Sequence, residues 1–114
     1  IVYCVTSIQQ IMNSQQDFLY TDGHATDKFT TYYTPDDIAA IESHVDFEAT
    51  RQKFWKDEND LDLKRRKEAE FLIKTDLDFK NILGFITFDA KAQSRLVQLG
   101  VDSTKVVVRP NFYF

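Results

Sequence analysis

The carboxylate in the most suggestive surroundings is Glu70, within the stretch KRRKEAEFL at residues 64–72. Basic residues precede it, and the apolar residues that follow are typical of a β-strand. A carboxylate at the start of a strand, beside a polar loop, can enter a cleft and accept a hydrogen bond from a ribose hydroxyl. There it could stabilise an oxocarbenium-like centre as a glycosidic bond breaks, as carboxylates do in glycoside hydrolysis. The local pattern alone favours a plainer interpretation, in which Glu70 is an outward-facing strand residue.

Four consecutive cations lie just before Glu70, namely Lys64, Arg65, Arg66 and Lys67. Such a run can meet phosphate groups, and each arginine can bind two phosphate oxygens at once. The alternative is a solvated helix face whose charge is balanced by nearby acids: Asp57, Glu58, Asp60 and Asp62. A charge run is more often a solvated face than a binding site. The sequence leaves both interpretations open.

A histidine follows a turn dipeptide in Asp22-Gly23-His24, just after a predicted strand. His24 could act there as a general base, or contact a phosphate or a nucleobase. A turn histidine without such a role is more common. The two histidines and one cysteine of the chain match no metal-ligand spacing, so we predict no bound metal. The three glycines are too scattered to form a phosphate-binding loop.

Composition and charge limit the classes of protein to which this chain can belong. It has 114 residues, 43% of them hydrophobic, and a net charge of −4. These values are typical of one globular domain or part of one, and they do not indicate a general nucleic-acid binder. The single cysteine, Cys4, cannot form a disulfide within the chain, so we expect a reducing compartment and a core position for Cys4. No apolar run is long enough to span a membrane, and we predict no membrane partner.

Short strands and helices alternate along the sequence, which predicts an α+β fold. The expected strands cover residues 1–6, 18–20, 69–74, 82–88, 106–108 and 112–114. The expected helices cover residues 8–14 and 46–55, begin at Thr34-Pro35 and at Asp89, and include a short charged helix within 57–70. The strand at 82–88 is almost continuously apolar, so we expect it to be buried on both faces.

Several of these stretches together resemble one known family. They are TDGHAT at 21–26, Phe54-Trp55 followed by acids, KRRKEAEFL at 64–72 and VVVRPNFYF at 106–114, with IVYCVTS at 1–7 before them. In order and spacing they are similar to the DarT-type DNA ADP-ribosyltransferase toxins, across essentially the whole chain. The resemblance implies an ADP-ribosyltransferase fold, which is a split and twisted β-core with peripheral helices and an NAD cleft between two small sheets.

The resemblance also implies an activity and its participants. Enzymes of this family use NAD as a substrate and attach ADP-ribose to a base of single-stranded DNA, thymidine in the best known branch. They are the toxins of toxin–antitoxin pairs, and the antitoxin partner carries a macrodomain. Glu70 matches the catalytic glutamate, His24 begins the substrate loop that precedes it, and the cations at 64–67 would meet the DNA. An intracellular DNA target, together with the cysteine usage, implies a cytoplasmic protein.

Family features that lie upstream, including a catalytic arginine and most contacts to NAD, are not found in this sequence. We therefore expect residues 1–114 to be the C-terminal portion of a single ADP-ribosyltransferase domain whose N-terminal part is missing. Two other classes remain open. One is a non-catalytic nucleic-acid-binding domain that uses residues 64–67. The other is a metal-dependent nuclease that uses Glu70 and Lys74, whose side chains would share one face of a strand.

Overall fold

The computed structural model describes residues 1–113 of the chain. Its strands, in chain order, are β1 (Tyr3–Val5), β2 (Phe18–Thr21), β3 (Tyr32–Tyr33), β4 (Phe71–Ile73), β5 (Gly84–Thr87) and β6 (Val106–Val108). Its α-helices are α1 (Ile8–Asn13), α2 (Ile41–His44), α3 (Phe47–Arg51), α4 (Leu63–Lys67) and α5 (Ala90–Gln98). Short 3₁₀-helices lie at Pro35–Ala40, Phe79–Asn81, Ser103–Lys105 and Pro110–Phe112.

The chain divides into two units, and each unit contains one sheet. The first combines Ile1–Gln16 with the segment from Asp76 onward, and the second is Asp17–Thr75. Among residues 1–113, the strands form two three-stranded sheets with the orders β1-β5-β6 and β3-β2-β4. This arrangement of small sheets and short helices confirms the predicted α+β class. Within the same residues, no helix is both long enough and apolar enough to cross a membrane.

In the first unit, β5 lies between β1, which is antiparallel to it, and β6, which is parallel to it. Phe85 and Thr87 of β5 are buried, whereas Gly84 and Ile86 are only half-buried. The prediction of a strand buried on both faces is therefore wrong, because this small sheet covers one face of its central strand more fully than the other. The prediction of a core position for Cys4 is also wrong. Cys4 lies on the edge strand β1, where it is exposed.

Side-chain caps begin the two α-helices of the first unit where the sequence predicts them. The Ser7 hydroxyl accepts a 3.0 Å hydrogen bond from the backbone N–H of Gln10 at the start of α1. The Asp89 carboxylate accepts a 2.8 Å hydrogen bond from the N–H of Ala92 at the start of α5. Each cap satisfies a donor that the first turn of a helix leaves without a backbone partner. After α5, Gly100 has a φ of 102°. Residues with a side chain rarely adopt this left-handed conformation, and glycine commonly ends helices in this way.

The strand predicted at 112–114 is not found in the part of the chain that the structure describes. A 3₁₀-helix at Pro110–Phe112 takes its place. Proline has no N–H to donate to a neighbouring strand, and its fixed φ suits the first position of a helix. Phe114, the last residue of that predicted strand, lies outside the described residues.

The central strand of the second unit is β2, which pairs antiparallel with β3 and with β4. Tyr20 and Thr21 of β2 are 1% and 0% exposed. Phe18 stacks on Phe71 across the β2–β4 pair, with ring centroids 4.6 Å apart. Aromatic cross-strand pairs stabilise a particular register. In this register, Thr21 lies opposite Glu70, the residue that precedes β4.

Thr34 begins a helix in the second unit, as the Thr-Pro pair predicts. The Asp37 carboxylate accepts a 3.0 Å hydrogen bond from the N–H of Thr34, which is half of a capping box. The element that follows is a 3₁₀-helix, Pro35–Ala40, and it continues directly into α2.

A second cap lies at Asp46, whose carboxylate accepts a 2.9 Å hydrogen bond from the N–H of Ala49 at the start of α3. The prediction that this helix continues to Trp55 is wrong, since α3 ends at Arg51. Residues 51–59 are all exposed. A longer helix there would have no buried face to hold it. The short charged helix predicted within 57–70 is confirmed as α4.

Candidate active site

The backbone of Glu70 is fixed by one buried threonine of the neighbouring strand. The N–H of Thr21 donates to the carbonyl oxygen of Glu70 at 2.9 Å. The N–H of Glu70 donates to the Thr21 hydroxyl, also at 2.9 Å. That hydroxyl in turn donates to the carbonyl oxygen of Gly23 at 2.6 Å. Thr21 therefore connects the residue before β4 to the turn after β2.

The side chain of Glu70 is held by the same turn. Its Oε2 accepts a 2.7 Å hydrogen bond from the backbone N–H of Ala25. The carbonyl oxygen of Ala25 accepts a hydrogen bond from the Tyr32 hydroxyl. Within residues 1–113, the other carboxylate oxygen of Glu70, Oε1, accepts no hydrogen bond. Glu70 is half-buried, so one oxygen is fixed in place while the other can receive a hydrogen bond from a bound molecule.

His24 lies one residue before Ala25 in the turn. Its Nδ1 lies 2.9 Å from the Thr26 hydroxyl and accepts a 3.2 Å hydrogen bond from the Thr26 N–H. A backbone N–H can only donate, so Nδ1 is an acceptor and the neutral ring carries its proton on Nε2. No residue in the described part of the chain bonds to Nε2. His24 therefore offers one N–H donor.

The side chain of Arg65 donates hydrogen bonds to three residues of its own unit. Its Nε donates to one Asp62 oxygen at 2.8 Å, and its Nη2 donates to the other at 3.0 Å. Its Nη1 donates to Asp22 at 3.1 Å and to the Thr30 hydroxyl at 3.3 Å. The hydrogen bond to Asp62 raises the pKa of Arg65, and the same bond lowers the pKa of Asp62. The charge of Arg65 is thus compensated within the chain.

Arg66 is similarly occupied. It forms salt bridges with Asp60 at 2.5 Å, Asp46 at 3.0 Å and Asp62 at 3.4 Å. The hydrogen bonds to Asp60, above all, raise the pKa of Arg66. Because Asp46 caps α3 and Arg66 belongs to α4, the Asp46–Arg66 bridge joins the two helices.

The two lysines of the run differ from each other. The Nζ of Lys67 donates to the carbonyl oxygens of Thr50 and Gln52 and lies 4.9 Å from the centroid of the Trp55 ring. Lys64 is exposed and has no hydrogen bond or salt bridge among residues 1–113. Of the four cations at 64–67, Lys64 is the one whose side chain has no hydrogen bond, salt bridge or ring contact in the described part of the chain.

An open cleft of about 520 Å³ runs beside this turn. Two of the predicted site residues with unused donors, His24 and Lys64, lie along it, together with the exposed side chains of Phe29 and Leu61. Arg65 forms part of its wall. Glu70 is not among the lining residues, and it is connected to the cleft through Ala25, the neighbour of His24.

Lys74 does not pair with Glu70. Its Nζ forms a 3.0 Å salt bridge with Asp17, which lies just before β2. Among residues 1–113, no group of three His, Cys, Asp or Glu side chains could hold a metal ion. The Glu70–Lys74 pair on which the nuclease interpretation depends is therefore not formed in this structure.

A family model described as "ssDNA thymidine ADP-ribosyltransferase, DarT" matches residues 1–114. The chain belongs to the DarT family. The resemblance inferred from TDGHAT and KRRKEAEFL is therefore confirmed. A search of curated proteins gives no significant match.

Solved structures of a DarT protein from Thermus sp. 2.9 share the fold of this chain. The complex of that protein with NAD⁺ is 18% identical in sequence and has a TM-score of 0.83, covering 99% of this chain and 57% of the Thermus chain. Its complex with ADP-ribosylated single-stranded DNA is also 18% identical, with a TM-score of 0.83, covering 99% of this chain and 54% of the other. The chain thus spans little more than half the length of these DarT structures. The predicted ADP-ribosyltransferase-like fold is confirmed.

Sequence reasoning missed the residues that hold Glu70. Thr21, Ala25 and Tyr32 act through a hydroxyl, a backbone amide and a phenol, and none of them stands out by residue type. A usable signal was the Asp22-Gly23 dipeptide after an apolar strand, because it marks a tight turn whose amides must find acceptors.

Proposed function

We propose that this chain carries the glutamate-bearing part of an NAD-dependent ADP-ribosyltransferase that modifies a base of single-stranded DNA, thymidine above all. The observation that carries the proposal is the state of the Glu70 carboxylate. The Ala25 amide holds Oε2 at 2.7 Å, and Oε1 is left without a hydrogen bond within residues 1–113. Membership of the DarT family supplies the reaction class that such a carboxylate would serve.

In the proposed reaction, the bond between nicotinamide and its ribose breaks, and the electron pair leaves with nicotinamide. A ring nitrogen of the DNA base then bonds to the same ribose carbon and loses its proton. The ribose passes through an oxocarbenium-like centre. Glu70 Oε1 is suited to accept a hydrogen bond from a ribose hydroxyl and, as an anion, to stabilise that positive centre. It can also orient the attacking nitrogen or take up its proton.

We assign His24 and Lys64 as the most suitable contacts for DNA along the cleft beside the turn. The N–H at Nε2 of His24 can donate to a base or a phosphate, and the ammonium of Lys64 can meet a phosphate. The prediction that Arg65, Arg66 and Lys67 contact DNA remains untested. The hydrogen bonds that these side chains already make within the chain weaken that prediction. NAD would be bound largely by residues outside this chain.

The biological setting is part of the proposal. We infer that the protein acts as a toxin in the cytoplasm, where its DNA target lies, and that a macrodomain antitoxin reverses the modification. The resemblance of TDGHAT and KRRKEAEFL to the toxin family supports this inference.

The test uses the full-length gene product, because this chain spans only part of its relatives. The protein is incubated with NAD and a thymidine-containing single-stranded oligonucleotide, and the oligonucleotide is then weighed by mass spectrometry. A matched oligonucleotide without thymidine and a duplex of the same sequence serve as controls. We expect a mass gain of one ADP-ribose on the first oligonucleotide alone, removed by a macrodomain hydrolase. No mass gain on any single strand, with folded protein and NAD present, would contradict the proposal.

A further inference from the structure

We propose that Arg65 is a positioning residue, which holds the turn at residues 22–30 so that the Ala25 amide meets the Glu70 carboxylate. The inference rests on the proposed function for the role of Glu70. It assigns to Arg65 a task different from the phosphate binding that the charge run at 64–67 suggests. The contacts of Arg65 with both ends of the turn carry the inference.

The guanidinium of Arg65 joins the beginning of the turn to its end. Its Nη1 donates to Asp22 at 3.1 Å and to the Thr30 hydroxyl at 3.3 Å. The Asp22 oxygen that it binds also accepts a 2.9 Å hydrogen bond from the N–H of Thr31. One nitrogen of Arg65 therefore closes the loop that the turn makes.

The backbone of Arg65 holds the middle of the turn. Its carbonyl oxygen accepts a 3.0 Å hydrogen bond from the N–H of His24, the residue before Ala25. The side chain of Arg65 is only 14% exposed, so water competes little for these bonds. Backbone and side chain together fix the turn on both sides of Ala25.

Gly23 shows how closely the turn approaches Arg65. A Cβ at Gly23 would lie 2.5 Å from Nη1, 2.9 Å from Cγ and 2.9 Å from the carbonyl oxygen of Arg65. No side chain fits there, so contact of this closeness requires glycine. Asp62 accepts hydrogen bonds from both Nε and Nη2 of Arg65 and so fixes the orientation of the guanidinium plane.

These contacts need a guanidinium, and a positive charge alone does not satisfy them. Nε and both terminal nitrogens of Arg65 meet two carboxylates and a hydroxyl in fixed directions. A lysine ammonium is a single point that can reach only some of these acceptors. A residue that merely met a phosphate would tolerate lysine far better. The Arg65→Lys variant therefore separates the two roles.

The experiment compares Arg65→Lys with wild type in the full-length gene product, and Arg51→Lys serves as the control. Arg51 is exposed on α3, and its side chain makes no hydrogen bond among residues 1–113. The first measurement is hydrogen exchange of the amides at residues 23–27 in the free protein. We expect Arg65→Lys to accelerate exchange at Ala25 by about tenfold or more, because the acceptor Oε2 is no longer held against it. Arg51→Lys should exchange as wild type does.

The second measurement is steady-state transfer to the oligonucleotide. We expect Arg65→Lys to lower kcat by about 10- to 100-fold and to leave the KM for DNA within about twofold, because misplacing Glu70 affects the chemical step. A raised KM for DNA with kcat unchanged, or wild-type exchange at Ala25, would overturn the proposal.

If Arg65→Lys does not fold, Asp22→Asn takes its place. A positioning role predicts faster exchange and lower kcat there, whereas a phosphate-binding Arg65 freed from Asp22 would bind DNA more tightly. If the wild type transfers nothing, the proposed function fails, and the exchange measurement still decides whether Arg65 holds the turn.

Discussion

The backbone N–H of Ala25 donates a 2.7 Å hydrogen bond to the carboxylate of Glu70, which lies 45 residues later in the chain. This bond joins the turn after β2 to the residue before β4. A hydrogen bond to an ionised carboxylate is stronger than one between neutral groups. It leaves one oxygen of Glu70 for a substrate.

Thr21 holds the backbone of Glu70, and we expect Thr21→Val to destabilise the fold. Valine has the same shape but cannot accept the N–H of Glu70 or donate to Gly23. Because Thr21 is 0% exposed, the groups left unpaired cannot turn to water. The loss should be about 1–3 kcal/mol in the free energy of unfolding, measured by urea denaturation.

Thr31→Val is the control for that substitution. Thr31 is exposed, and its hydroxyl makes no hydrogen bond in the described part of the chain. Its replacement should change stability by less than about 0.5 kcal/mol. Equal effects of the two substitutions would show that the Thr21 hydroxyl does not hold Glu70.

The acids around Arg66 should make stability fall in acid. The hydrogen bond from Ala49, followed by that from Arg66, holds the pKa of Asp46 below its ordinary 3.8, and Arg66 lowers the pKa of Asp60. A carboxyl whose pKa is lower in the folded state stabilises the fold above its unfolded pKa. This contribution is therefore complete above about pH 4 and is lost as pH falls through the lower folded pKa.

Urea denaturation between pH 6 and pH 3 measures this dependence. Asp46→Asn keeps a good helix cap but removes the titrating group. We expect its stability to fall less steeply below pH 4 than that of wild type. Asp36→Asn, on an exposed residue, should retain the wild-type slope. A wild-type slope in Asp46→Asn would contradict the lowered pKa assigned to Asp46.

Lys64 is the cation of the run 64–67 that we expect to meet DNA phosphate. Lys64→Met should weaken binding of single-stranded DNA and reduce the slope of log K against log salt by about 0.7, the value for one phosphate contact on a single strand. Binding titrations of the full-length protein at several salt concentrations measure both effects. Lys53→Met, on an exposed residue of the same unit, should keep the wild-type slope. An unchanged slope in Lys64→Met would remove Lys64 from the DNA contacts.

The sequence predicted much of this fold because local signals agreed with tertiary structure. Ser7, Asp46 and Asp89 cap helices where their residue type and position indicate. Apolar runs predicted the strands β2, β5 and β6. Burial was less predictable, because it depends on which strands neighbour each other. Cys4 belongs to an apolar run but lies exposed on an edge strand, a placement that only the sheet order reveals.

The candidate site was predictable in part. Glu70 stands out through the residues on either side of it, and the family resemblance gives it a role. The function of Arg65 was not predictable, because its partners Asp22 and Thr30 are distant in sequence and reach it only in the folded turn. A run of four cations looks uniform as letters. The fold divides it into two arginines paired with acids, a lysine bound to carbonyl oxygens, and Lys64, which is exposed.

The most direct test of this account replaces Glu70 with glutamine in the full-length gene product and measures transfer of ADP-ribose to the thymidine-containing single strand. Glutamine keeps the shape of the side chain and can still accept the Ala25 N–H, but it carries no charge for the ribose centre. Glu42→Gln, on an exposed residue of α2, is the control. We predict that Glu70→Gln lowers kcat by about 10²- to 10³-fold while the protein stays folded and Glu42→Gln keeps full activity. A Glu70→Gln protein as active as wild type would contradict the catalytic role of Glu70 and the account built on it.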